Sequence, residues 1–263
     1  MKFKVLLVND FVQLGGAEKV YLATSDVLES MDGVQVKKFD IETPGRARRR
    51  LGSKAWNFEA ASRFRQLLEA FSPDVIWMHN FHGYLSPSVL HEIRRYKRFR
   101  TCTAVMTAHD FHVLYQNPLL VDYSDGKITP VDFKTSPLQA IWHRSSNKSV
   151  AHNISRKLYW NAVNIFAPAV GIFDHFFAPS ENMAEALRVK GARSVSVLTN
   201  PVAVRNILPP RCLPFDETGL KLAYVGRIDP EKGVEEFIEL LEQSSFYRVR
   251  SVTIIGSGTR VDF

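Results

Sequence analysis

The chain has 263 residues, room for one large domain or two modest ones, and it is 45% apolar and 23% charged, as ordinary globular proteins are. That composition excludes a disordered or collagen-like chain, and two cysteines, Cys102 and Cys212, exclude a disulfide framework or an unaided zinc site. The net charge of +7 favours anionic partners such as nucleic acid, anionic lipid or phosphorylated substrates.

Much of the positive charge sits in two groups. Arg46, Arg48, Arg49, Arg50 and Lys54 form one; Arg94, Arg95, Lys97, Arg98 and Arg100 form the other. A solvated face is an equal reading of either group alone. The basic residues are not interleaved with stacking aromatics in a recognisable module, so nucleic acid is not the expected partner.

Taken in order, short apolar runs alternate with amphipathic stretches. Phe3 to Val8 reads as a buried strand. Gly15 to Met31 reads as a helix with Val20, Tyr21, Thr24, Val27, Leu28 and Met31 at helical spacing. Val34 to Phe39 is a second strand, Phe58 to Phe71 a helix, and Asp74 to Met78 a third strand after Pro73. Pro87 to Tyr96 is a helix with a basic outer side. Thr101 to Thr107, rich in β-branched residues, is a fourth strand that holds Cys102 as a small core hydrophobe. Residues 111 to 148 are irregular, with turns at Asn117-Pro118, Asp125-Gly126 and Ser136-Pro137. Ser149 to Ile165 is a helix, His175 to Ala178 a strand, Glu181 to Lys190 a helix capped by Ser180, and Val195 to Leu198 a strand.

Alternating strands and helices predict a mainly parallel, doubly wound α/β sheet for residues 1–200. Residues 201–218 carry Pro201, Pro209, Pro210 and Pro214 and read as a linker. From 219 to 263 the pattern restarts: strand Lys221 to Val225, helix Gly233 to Leu241, strand Val249 to Ile255, then Gly256-Ser257-Gly258. One such unit is too small to bury its own core, so this segment reads as the start of a second, incomplete domain. The apolar run before Asn9 is too short for a signal peptide. The most apolar later stretch, Ile165 to Phe173, is less than half the roughly 20 residues of a spanning helix. The expected location is cytoplasmic, with any membrane contact peripheral.

Three segments could carry chemistry. Gly15-Gly16 opens the first helix, where absent side chains and free N–H groups suit a diphosphate, although the pattern is not G-x-G-x-x-G. His109-Asp110 follows the fourth strand at the edge where open α/β sheets bind ligands. There His109 could donate to a substrate oxygen and Asp110 could orient it. His79, His82 and His112 lie nearby in sequence, but no completing cluster points to a metal, and no Asp-x-Asp pair is present to hold a sugar diphosphate through a cation. The segment from Gly226 through Arg227 to Lys232 and Gly233 leaves a strand and enters a helix, with two cations suited to phosphate oxygens.

These motifs together resemble the family 4 retaining glycosyltransferases of the GT-B fold. The matching residues are Gly15-Gly16-Ala17-Glu18, Thr107-Ala108-His109-Asp110, Ala178-Pro179-Ser180, Asn200-Pro201-Val202, and Tyr224-Val225-Gly226-Arg227 through Glu231-Lys232-Gly233. The resemblance implies two Rossmann-like domains and a UDP- or GDP-linked sugar as donor, with no metal and no separate cofactor. It also implies a hexosyl transfer to a glycan or lipid-linked acceptor, as in cell-surface polysaccharide synthesis. Arg227 and Lys232 would hold the donor diphosphate, with Gly15 and Gly16 close to it. His109 and Asp110 would serve the reacting sugar, and Asn80 would lie on the acceptor side. Family members continue past Gly256-Ser257-Gly258 into a longer second domain that bears a Glu-x7-Glu element, and the five residues after Gly258 leave no room to hold it. The alternative expectation is therefore a non-catalytic remnant or regulatory subunit that binds a phosphorylated ligand or partner.

Overall fold

A six-stranded, wholly parallel sheet organises the first of two compact units, Met1–Val202 and Ala203–Phe263. The computed structural model describes residues 2–10, 15–40, 56–124, 127–135, 142–201, 219–243 and 249–258. The basic group at 46–54, the turns at Asp125-Gly126 and Ser136-Pro137, Cys212, and the linker from 202 to 218 lie outside them.

The sheet contains β1 (Phe3–Val8), β2 (Val34–Phe39), β3 (Val75–Met78), β4 (Thr103–Thr107), β7 (His175–Ala178) and β8 (Val195–Val197), in the order β2-β1-β3-β4-β7-β8. A small antiparallel pair, β5 (Val121–Asp122) and β6 (Thr129–Pro130), lies in the stretch read as irregular. β1 lies between β2 and β3, and its side chains divide between the two faces. Leu6 and Val8 join the main core with Ala60, Phe64 and Leu68 of α2 (Phe58–Phe71) and Val89, Leu90 and Ile93 of α3 (Ser88–Phe99). Val5 and Leu7 meet Tyr21 of α1 (Gly16–Glu29) on the opposite face. Burial on both faces is why Val5 to Val8 read as an unbroken apolar run. The sheet is doubly wound, as the alternation of elements predicts.

Two local readings change. The buried residues of α1 are Glu18, Tyr21 and Ser25, whereas Val27 is 61% exposed and Met31 is also exposed. The apolar spacing had indicated a face turned towards Val27 and Met31. Tyr21 sets the orientation instead: its ring is fully buried and its hydroxyl donates to Asp40. Cys102 precedes β4 and is only half-buried at the core margin, where burial raises its thiol to about 11.

The second basic group is divided by the fold. Lys97 is half-buried, donating to Asp174 at 2.6 Å and to the Ile172 carbonyl at 3.1 Å, and so ties α3 to the start of β7. Arg95 lies 3.6 Å from Glu92, a buried carboxylate already gripped by two nitrogens of Arg65 at 2.8 and 2.7 Å. Arg94, Arg98 and Arg100 remain on the surface beside Phe99, which is 79% exposed.

The first unit also holds α4 (Val150–Phe166), α5 (Ala169–Ile172) and α6 (Glu181–Val189); in the second unit, β9 (Leu220–Val225) and β10 (Val249–Ile255) pair in parallel around α7 (Val234–Gln243). Among the described residues no helix is long and apolar enough to cross a membrane.

Candidate functional site

The chain runs from β1 to β2 on one side and then places β3 on the other side of β1. The carboxyl ends of β1 and β3 therefore flank the topological switch point, where open α/β sheets hold ligands. Asn9 and Asp10 follow β1, His79 and Asn80 follow β3, and Ala108, His109 and Asp110 follow β4.

Asp10 is fully buried, and its carboxylate accepts the backbone N–H groups of Gly83 and Leu85, the latter at 2.7 Å. Desolvation is the main influence on it, outweighing these hydrogen bonds and raising its pKa to about 6. Nearby Glu18 adds to the rise. Asp10 thus staples the loop after β3 to the end of β1. Asp10→Ala would strand two buried donors, and the expected cost is about 3 kcal/mol of stability, read as a lowered denaturant midpoint. The signal in the sequence is a polar Asn9-Asp10 pair directly after a fully apolar strand end.

Four histidines gather here as two pairs. His79 Nδ1 lies 3.1 Å from His109 Nε2, with ring centroids 5.3 Å apart. His82 stacks on His112 at 4.0 Å. Burial lowers His79 to about 3 and both His109 and His112 to about 4, and it holds His82 well below the usual imidazole range. All four rings are therefore neutral at pH 7. Among the described residues, no group of three or more His, Cys, Asp or Glu forms a metal-binding cluster.

Asp110 does not orient His109 directly. Its carboxylate accepts the His112 N–H at 2.8 Å and starts the short 3-10 turn Phe111–Val113, and burial raises its pKa. The group that meets the His109 ring is His79. Asn80 is half-buried and uses its side-chain oxygen to accept the His82 N–H at 3.1 Å, shaping the loop that Asp10 holds.

At the start of α1, Gly15 is the N-cap residue with no side-chain cap, and a Cβ added at Gly16 would meet nothing within 4 Å. Among the described residues, no capping side chain satisfies the first-turn N–H groups of this helix.

Arg227 and Lys232 belong to the second unit. Both are exposed in the segment that joins β9 to α7. The helix does not begin at Gly233. Pro230–Lys232 forms a 3-10 turn, Gly233 takes the left-handed conformation at φ 70°, and α7 starts at Val234. The Tyr224 hydroxyl lies 3.1 Å from the Arg227 carbonyl and 3.2 Å from the Lys232 carbonyl, so it fastens the two cationic positions to one strand end. Arg227 is paired with Asp229 at 2.9 Å and Glu231 at 3.3 Å, and its side chain is 63% exposed. Such surface pairs contribute little to stability and are open to exchange for a stronger anion. Glu235 and Glu236 occupy the first turn of α7, so any diphosphate here depends on Arg227 and Lys232 more than on the helix end. A Cβ on Gly256 would collide with the Gly226 carbonyl, and one on Gly258 with that of Ile228. The two loops touch backbone to backbone, which explains the glycines after β10.

Two larger clefts lie elsewhere. One of 270 Å³ is lined by Arg65, Glu92, Tyr96 and Phe99, and another of 310 Å³ by Trp56, Phe58 and His91; both sit on α2 and α3. Arg65 and Glu92, which line both, already pair with each other, whereas a smaller cleft at the sheet edge is lined by His82, His112, Tyr159 and Trp160. The sheet edge is the stronger candidate.

No protein-family model and no curated protein matches the chain. Among solved structures, the lipopolysaccharide outer core galactosyltransferase WaaB in its apo form is similar over 98% of this chain, with 17% identity and a TM-score of 0.55. The fold is that of the GT-B glycosyltransferases. The chain spans 62% of the length of that galactosyltransferase.

Proposed function

We propose that this chain carries the acceptor side and the diphosphate-binding loop of a retaining glycosyltransferase of family 4. The enzyme would move a hexose from a UDP- or GDP-linked donor to a glycan or lipid-linked acceptor in cell-surface polysaccharide synthesis. The observation that carries the reading is the loop from Gly226 to Gly233, which holds an exposed arginine and lysine on one clamp at a strand end. The GT-B fold and the helix start at Gly15-Gly16, without a side-chain cap among the described residues, agree with it.

In the proposed reaction the acceptor hydroxyl attacks the anomeric carbon as the bond to the diphosphate breaks. The leaving phosphate oxygen takes the hydroxyl proton, on the same face of the sugar. Arg227 and Lys232 offset the charge that develops on the departing diphosphate. His109, neutral and half-buried, contacts the transferred sugar, and the Asn80 loop borders the acceptor. No metal or cofactor takes part in this scheme.

Calorimetric titration with UDP, GDP and their hexose conjugates tests the proposal. Binding of one nucleotide series supports it. Absence of binding by the folded chain to every member would sink it. One observation favours the second reading, a regulatory subunit that binds a phosphorylated partner: Arg227 already holds two carboxylates, as a docking arginine at rest would. That reading predicts binding of a phosphorylated ligand without sugar transfer.

The proposed lipid-linked acceptor also places the enzyme at an anionic membrane, through Arg94, Arg98, Arg100 and exposed Phe99. Each surface cation contributes about 1 kcal/mol at such a surface. Triple replacement of the three arginines by alanine is therefore expected to reduce cosedimentation with anionic vesicles by roughly 100-fold. Equal recovery of the unaltered chain with neutral and anionic vesicles would remove the membrane partner.

A further inference from the structure

The His79–His109 pair fixes where the protons of two neutral rings reside. Nδ1 of His79 and Nε2 of His109 are 3.1 Å apart, so one of them carries a proton and the other accepts it. Nε2 of His79 is buried, and no hydrogen-bond partner for it exists among the described residues. If that nitrogen bore the proton, a donor would be stranded in the interior while His109 turned a bare lone pair outward. If His79 instead bears its proton on Nδ1, the proton enters the pair and only a lone pair is left unmatched at Nε2. His109 must then carry its own proton on Nδ1. The second arrangement strands no donor at the buried nitrogen of His79, and buried unpaired N–H groups are the rarer defect in proteins. The rings are held rigidly in it. His79 packs edge to face against Tyr21 at 5.4 Å and stacks with Trp77 at 6.1 Å, and the Trp77 indole donates to Thr107 at 2.9 Å.

We propose that His79 is a positioning residue that locks His109 as its Nδ1–H tautomer, so that His109 offers a ligand oxygen a hydrogen-bond donor and never a lone pair. The ligand chemistry follows: a hydroxyl or carbonyl oxygen of a sugar, not an N–H or a hydroxyl proton awaiting a base. The identity of that oxygen as part of the donor sugar rests on the proposed glycosyltransferase function. The tautomer does not.

The test uses the full chain labelled with ¹⁵N-histidine, with the His109 signals assigned by a His109→Asn variant. Long-range ¹H–¹⁵N correlation at pH 7.5 is expected to show His109 protonated at Nδ1. In His79→Leu the lock is gone, and the signals should move towards the Nε2–H form that free imidazole side chains prefer. In His79→Asn the side-chain amide can stand in for Nδ1–H, so the unaltered pattern should persist. Should His79→Leu fail to fold, the unaltered chain and His79→Asn still decide the matter. An Nε2–H tautomer of His109 in the unaltered chain overturns the proposal, as does a folded His79→Leu whose His109 signals do not change. Addition of UDP-glucose, UDP-galactose or GDP-mannose is then expected to shift the His109 Nδ1–H resonance. A correct tautomer that responds to none of them upholds the role of His79 and overturns the donor-site reading, so the two failures are distinguishable.

Discussion

Alanine at both Arg227 and Lys232 is expected to weaken nucleotide-diphosphate binding by roughly 100- to 1000-fold while leaving the fold intact. Each charge-assisted hydrogen bond to phosphate contributes about 1.5–3 kcal/mol, and 1.4 kcal/mol is tenfold in affinity. The folded chain loses little in exchange. The Arg227 side chain is 63% exposed, and solvent screening keeps its pairs with the half-buried Asp229 and Glu231 weak. Calorimetric titration beside thermal melts separates the two effects. Undiminished affinity for the nucleotide that binds the unaltered chain would dismiss this loop as the diphosphate site. Tyr224→Phe is the companion variant. It leaves both cations in place but removes the hydroxyl that fastens their carbonyls, so a smaller loss of affinity with unchanged charge would show that loop position matters as well.

Acidification is expected to unfold the first unit with a steep dependence that begins below about pH 6. His79, His109 and His112 have folded pKa values of about 3, 4 and 4, and His82 is also held well below 6.5, all chiefly through burial. A histidine whose folded pKa is depressed contributes stability that is present above its unfolded value. That stability is lost as pH falls from 6.5 towards the folded value, because the unfolded chain takes up the proton first. Asp10 acts in the opposite sense: raised from 3.8 to about 6, it contributes most below pH 4, and that contribution is lost as pH rises through 6. Raised Asp110 acts as Asp10 does. Four imidazoles against two carboxyls leave a net uptake of about two to three protons on unfolding near pH 5. The slope is then about 3–4 kcal/mol per pH unit. Urea titrations between pH 7 and 4.5 measure this slope. A flat profile over that window would show that the histidines are not buried neutral.

The doubly wound sheet was legible because its signals are local. Val5 to Val8 is apolar throughout since that part of β1 is covered on both faces, and Phe58 to Phe71 repeats its apolar residues at the helical period that the core enforces. The glycines and cations of the Gly226–Gly233 loop were equally visible, since strand end, turn and helix start follow one another along the chain. What such local signals do not reveal is which distant groups meet. Asp10 and the N–H groups it holds are more than 70 residues apart, as are Lys97 and Asp174. Nothing in the basic run Arg94 to Arg100 distinguishes the inward lysine from the outward arginines.

The candidate site divides in the same way. That a histidine would stand at the carboxyl edge of β4 follows from strand order and chain direction alone, and the sequence by itself determined it. That this histidine faces another imidazole 30 residues earlier, and not its neighbour Asp110, was decided only by the register of β3 against β4 and by the burial of both strand ends. Sequence spacing sets what a single strand or helix can present. Side-chain partners between strands depend on how the sheet pairs and what it excludes from water, and those are properties of the folded whole.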